Sequence, residues 1–137
     1  MKAGSELIIG NFMPGIFNRV ISDSVLGEAV GPNITEVNGS GIEAQASFTE
    51  IKENMDTRIS VKASGMEPGG QYISIYYKNG NCEKEINSFE KSVNGAFFAD
   101  EYGQGFSEGV VKDSVNRIGS ISIRRAADFK LVACGRV

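Results

Sequence analysis

The stretch Arg58-Ile59-Ser60-Val61-Lys62-Ala63 alternates strictly between polar and apolar residues. Successive side chains of an extended strand point to opposite faces, so this pattern predicts a half-buried β-strand with Ile59, Val61 and Ala63 inward. The same period recurs on both sides of it. Ala44-Gln45-Ala46-Ser47-Phe48-Thr49 precedes it, and Tyr72-Ile73-Ser74-Ile75-Tyr76-Tyr77 follows, with Ile73, Ile75 and Tyr77 read as the buried face. Ser120-Ile121-Ser122-Ile123-Arg124 and Lys130-Leu131-Val132-Ala133-Cys134 repeat the theme. Turn-forming residues separate the runs at Gly39-Ser40-Gly41, Glu67-Pro68-Gly69-Gly70, Lys78-Asn79-Gly80-Asn81 and Asn94-Gly95. Only Asp23 to Ala29 and Glu83 to Lys91 read as short helices. The fold class is therefore all-β, an antiparallel sandwich or barrel.

A length of 137 residues suits one hydrophobic core, and the chain is 41% apolar and 23% charged, as globular proteins are. Lys and Arg total 14 against 17 Asp and Glu, so no nucleic-acid partner is expected, because phosphate-backbone binders are normally basic. The decisive count is histidine, which is zero. Imidazole metal sites, histidine general bases and Ser-His-Asp triads are excluded. No apolar run approaches the length that spans a bilayer, and Leu7-Ile8-Ile9 with Phe12-Met13 is interrupted by Asn11, Pro14 and Gly15, so no membrane span or signal peptide is expected. Cys82 and Cys134 are the two cysteines; an even count is compatible with one disulfide or with two buried thiols. Asn33-Ile34-Thr35 and Asn38-Gly39-Ser40 are glycosylation sequons, at about the frequency chance provides.

The order of these pieces resembles the copper/zinc superoxide dismutase family. Gly65-Met66-Glu67-Pro68-Gly69-Gly70-Gln71-Tyr72-Ile73-Ser74-Ile75-Tyr76 is similar to its G-L-x-P-G-x-H-G-F-H-V-H segment. Gly80-Asn81-Cys82 is similar to its G-x-C, and Gly95 to Gly103 to its G-N-x-x-A-D-x-x-G loop. Ser120 to Asp128 resembles the S-V-V-V-H-x-x-x-D strand, and Leu131-Val132-Ala133-Cys134-Gly135 the R-L-A-C-G ending. The resemblance covers residues 30–137 and implies a Greek-key antiparallel β-barrel of about eight strands, with an immunoglobulin-like sandwich as the alternative. It also implies a disulfide between Cys82 and Cys134, hence an extracellular or periplasmic location. Residues 1–29 fall outside it and are expected to be an added hairpin, strand or linker.

The departures from the family exceed the matches in consequence. Ser74 and Tyr76 stand where the family places two copper-binding histidines, Gln71 where it has a third, and Arg124 where the later strand has another. No histidine lies between Cys82 and Gly95 for zinc, and Leu131 occupies the place of the anion-guiding arginine, with Lys130 one position early. The chain is therefore expected to be no enzyme and to carry no cofactor: a metal-free binding or structural module with a protein partner, or one that self-associates as a homo-oligomer. An unconventional metal or redox site on the same barrel, and a surface lectin- or adhesin-like module, are the alternatives. Because the loops that cover the family's metal face are short here, Tyr72, Ser74, Tyr76 and Arg124 are expected to form one exposed binding face. Phe97, Phe98, Tyr102 and Phe106 are expected to pack mostly in the core and under the loops. Arg124-Arg125 with Lys130 and Arg136 reads as a solvated strand end.

Overall fold

The computed structural model describes residues 25–51, 55–83 and 90–137. Eight antiparallel strands make up the chain there: β1 (Val25–Glu36), β2 (Glu43–Ile51), β3 (Asp56–Ser64), β4 (Gln71–Tyr77), β5 (Glu90–Phe98), β6 (Gly105–Val111), β7 (Ser120–Arg125) and β8 (Leu131–Arg136). A single 3-10 turn, Val115–Arg117, interrupts the β6–β7 connection. The strands hydrogen-bond in the order β5-β4-β7-β8-β1-β2-β3-β6. Strand β7 returns to lie beside β4 rather than β6, which is a Greek-key connection. The expected all-β barrel is thus the observed architecture. Among the described residues no helix is long and apolar enough to cross a membrane.

β1 serves as the splice between the two halves. It pairs with β2 from Val25 to Ile34, through two register shifts, and then with β8 at Thr35 and Glu36. The barrel's first strand therefore already includes residues 25–29, where a helix and an appended segment were expected. A short stretch with β-branched and small residues takes its conformation from the partner strand, which overrides weak local propensity. The rest of the expected N-terminal addition, residues 1–24, lies outside the described residues. So does 84–89 of the other expected helix, whose end at Lys91 belongs to β5.

The interior follows the alternation of the central strands. Ile59, Val61 and Ala63 of β3 point inward, as do Ala46 and Phe48 of β2 and Ile121 and Ile123 of β7. The turns use the residues that suit them. Glu67 to Gly70 closes with Gly70 N–H on the Glu67 carbonyl, with Pro68 followed by Gly69 at φ 76°. Asn94-Gly95 makes no turn between strands: it lies inside β5, where the register with β4 shifts between Ile73 and Ile75 and Gly95 takes φ 70°. This is a β-bulge, using the same positive-φ tolerance of glycine that signals a hairpin.

Strands β5 and β6 complete the circle by packing side by side. At their closest approach a Cβ on Gly109 would lie 2.2 Å from the Val93 carbonyl oxygen, so only glycine lets these backbones meet. At one pole, the turn linking them is fastened to the β3–β4 connection: Met66 N–H donates to the Gly103 carbonyl at 3.0 Å.

Candidate functional site

The segment expected to carry the exposed face, β4, is covered on both sides. Tyr72 (4% exposed), Ser74 (0%) and Tyr76 (0%) point into the barrel interior. Ile75 and Tyr77 point outward, but bury themselves in a second cluster with Cys82, against which Ile73, Phe129, Leu131 and Cys134 pack. The expected inward and outward faces are thus exchanged. A strand buried on both faces has no solvated side to fix its phase in the sequence, and one small serine among apolar residues does not mark a wet face.

Inside, the polar atoms of this strand find partners. Ser74 Oγ donates to the Ser122 carbonyl at 3.0 Å, and Tyr72 Oη accepts the Glu67 N–H at 3.1 Å. Tyr76 Oη donates to Asp113 Oδ2 at 2.7 Å, while Lys91 Nζ stands 3.6 Å from the same oxygen. Burial first, then the hydrogen bond to Asp113, push the Tyr76 phenol well above its ordinary range, so it stays protonated as a donor. Asp113 is itself buried, and its carbonyl accepts Thr57 Oγ1 at 2.7 Å. This arrangement closes one end of the barrel with a satisfied polar network.

Arg124 stands on the opposite face of the sheet, beside Ile73. The four residues expected together are therefore divided, three inside and one outside. The half-buried Arg124 guanidinium binds three segments at once: Nε donates to Tyr77 Oη, Nη1 to the Phe129 carbonyl and Nη2 to the Cys82 carbonyl, each at 2.9 Å. Its carbon also lies 5.1 Å from the centroid of the Phe129 ring. Cys82 and Cys134 form a disulfide with Cα atoms 6.1 Å apart, as the resemblance implied. Cys82 is buried, and its N–H donates to Ser120 Oγ. Together, Arg124 and the disulfide staple the β4–β5 connection and the β7–β8 turn onto the barrel wall.

Arg125, next along the chain, makes a two-pronged contact with Asp128, Nε to Oδ1 at 3.1 Å and Nη2 to Oδ2 at 2.9 Å. That hydrogen bond and the Lys130 N–H hold the Asp128 carboxyl at about 2. A carboxyl depressed below its ordinary unfolded value of about 3.9 contributes stability above that value and loses it as pH falls through the folded one. An NMR titration should therefore place the Asp128 midpoint near 2. Arg125→Ala should raise it, though the Lys130 N–H should keep it below the ordinary range; an unmoved midpoint would show that the ion pair is not its cause.

The exposed aromatics lie elsewhere. Phe98 (66% exposed) and Phe106 (51%) project outward from β5 and β6, on either side of a turn whose tip carries Tyr102 (78%). These three were expected to be packed away, and only Phe97, half-buried against the core, is. Phe98 and Phe106 line an open groove of 880 Å³ over the outer surface of β2, β3 and β6. Glu43, Gln45, Lys62, Ser64, Asp100 and Gln104 supply its polar lining. Asp100 Oδ1 accepts the N–H groups of Tyr102 and Gln104, both at 2.9 Å, which fixes the turn and hence the spacing of the two rings. The sequence misleads here: in β6, Phe106 shares its phase with Glu108 and Val110, and this more apolar phase is the exposed one, while Ser107 and Val111 turn inward.

Among the described residues, no group of three or more His, Cys, Asp or Glu side chains stands together to hold a metal ion. No protein-family model and no curated protein matches the chain in sequence.

Proposed function

We propose that the chain is a non-catalytic binding or structural module of an oxidising compartment, built on a superoxide-dismutase-like barrel without the metal-binding histidines. The observation that carries this reading is how the reactive side chains are used. Both cysteines are joined, the Tyr76 phenol is held on Asp113, and Arg124 spends its donors on framework oxygens. These thiols, this phenol and this guanidinium are committed to holding the barrel together. The side chains with spare hydrogen-bonding capacity instead surround an open groove flanked by exposed aromatics, the composition of a recognition surface. The ordered set of motifs and the Greek-key barrel both support the family resemblance, and the disulfide supports an extracellular or periplasmic setting. Protein purified without chelator should contain no stoichiometric transition metal, and should dismutate superoxide no faster than buffer, with or without added copper and zinc. A stoichiometric metal, or activity restored by copper, would overturn this reading.

A further inference from the structure

The β2–β3–β6 groove has the makings of a ligand site of one chemical class. Phe98 and Phe106 each leave half or more of their surface in water, an apolar exposure that a small domain rarely concentrates without use. Between them lie both donors and acceptors: the Lys62 ammonium, the Gln104 amide, and the Glu43 and Asp100 carboxylates. Among the described residues the side chains of Glu43, Lys62 and Gln104 make no hydrogen bond or ion pair, so these groups are available. With two carboxylates against one ammonium, the groove carries one net negative charge, which disfavours a polyanion and is too little to hold a strongly basic peptide. It suits a neutral ligand that presents apolar faces to rings and a dense edge of hydroxyls to carboxylates and amides.

We infer that this groove binds a neutral oligosaccharide, with sugar rings stacked on Phe98 and Phe106 and hydroxyl groups held by Glu43, Lys62 and Gln104. A pyranose face of C–H bonds meets the electron-rich face of an aromatic ring, and its hydroxyls need partners able both to donate and to accept. The two phenylalanines extend from adjacent strands bridged by a turn that Asp100 makes rigid, so the platform is formed before the ligand arrives. The inference rests on the binding-module reading and adds the ligand class to it.

The test is an NMR titration of the full chain with cellohexaose, chitohexaose and mannohexaose at millimolar concentration, following backbone amides. At least one should shift the amides of Ser64, Gln104, Gly105 and Phe106. Phe98→Ala and Phe106→Ala should each weaken that binding about fivefold to tenfold, the loss expected for one aromatic contact. Gln104→Ala should weaken it too without removing any apolar packing, and Val110→Ala, exposed outside the groove, should not. No shift with any of the three, shifts mapping to another face, or binding indifferent to both phenylalanines would overturn the inference. Those outcomes in a metal-free, inactive protein would leave the module reading standing; a bound transition metal would remove that reading whatever the sugars did.

Discussion

Reducing the Cys82–Cys134 disulfide should lower the thermal unfolding midpoint by more than about 10 °C. The bond joins residues 52 apart. On the chain-entropy account, freeing a loop of that size returns up to about 4 kcal/mol of conformational freedom to the unfolded chain. The folded side also loses, because the disulfide packs among Ile75, Tyr77, Phe129 and Leu131 on the outer wall. Calorimetry with and without reductant, and of the paired variant Cys82→Ser with Cys134→Ser, measures the effect. A midpoint that moves by less than about 3 °C would mean that the connection carrying Cys82 is held by other contacts.

Arg124→Met should cost about 3 kcal/mol. Hydrogen bonds to a charged group contribute more than neutral ones, and here three are lost together, leaving the carbonyls of Cys82 and Phe129 without their donor. Arg124→Lys should recover only part of the loss, because one ammonium cannot reach three oxygens placed around a planar fork. Denaturant unfolding gives the values. Combining Arg124→Met with loss of the disulfide should cost less than the sum, since both hold the same connection. Strict additivity would show that they act on separate elements, and unchanged stability in Arg124→Met would favour the contact role first expected for this residue over the structural one.

The strands whose one face is wet were legible in the sequence, because water fixes the phase of the alternation. Ile59, Val61 and Ala63 of β3 point inward as their spacing predicts; Ile121 and Ile123 of β7 do so too, although there the opposite phase is marked by the buried serines Ser120 and Ser122 and not by water. β4 was legible as a strand but not in its orientation. Ile73-Ser74-Ile75-Tyr76-Tyr77 is apolar on both faces, and the outer cover comes from Phe129, Leu131 and the disulfide, which are remote in sequence. The expected binding face failed for that reason: Tyr72, Ser74 and Tyr76 became core, and Arg124 a clamp. The groove was not read because it is assembled from Glu43, Lys62, Phe98 and Phe106, whose adjacency exists only after β3 has paired with β6 and β5 has closed against it. Asn94-Gly95 shows a further limit, since a glycine's positive φ serves a bulge as well as a hairpin.

The splice made by β1 has a consequence for the order of events in folding. Thr35 and Glu36 pair with Cys134 and Ala133, and Cys134 also supplies the disulfide. One strand near the end of the sequence thus joins the first strand and ties down the middle of the chain. A nascent or truncated polypeptide that stops before residue 131 possesses neither link, so its earlier strands form two separate ladders, β5-β4-β7 and β1-β2-β3-β6, each with an unpaired edge where β8 belongs. Closure is a late step that bridges nearly the whole described sequence, and contacts of such separation slow folding. Once β8 docks, the joining of the two ladders and the pairing of the cysteines are completed by the same strand.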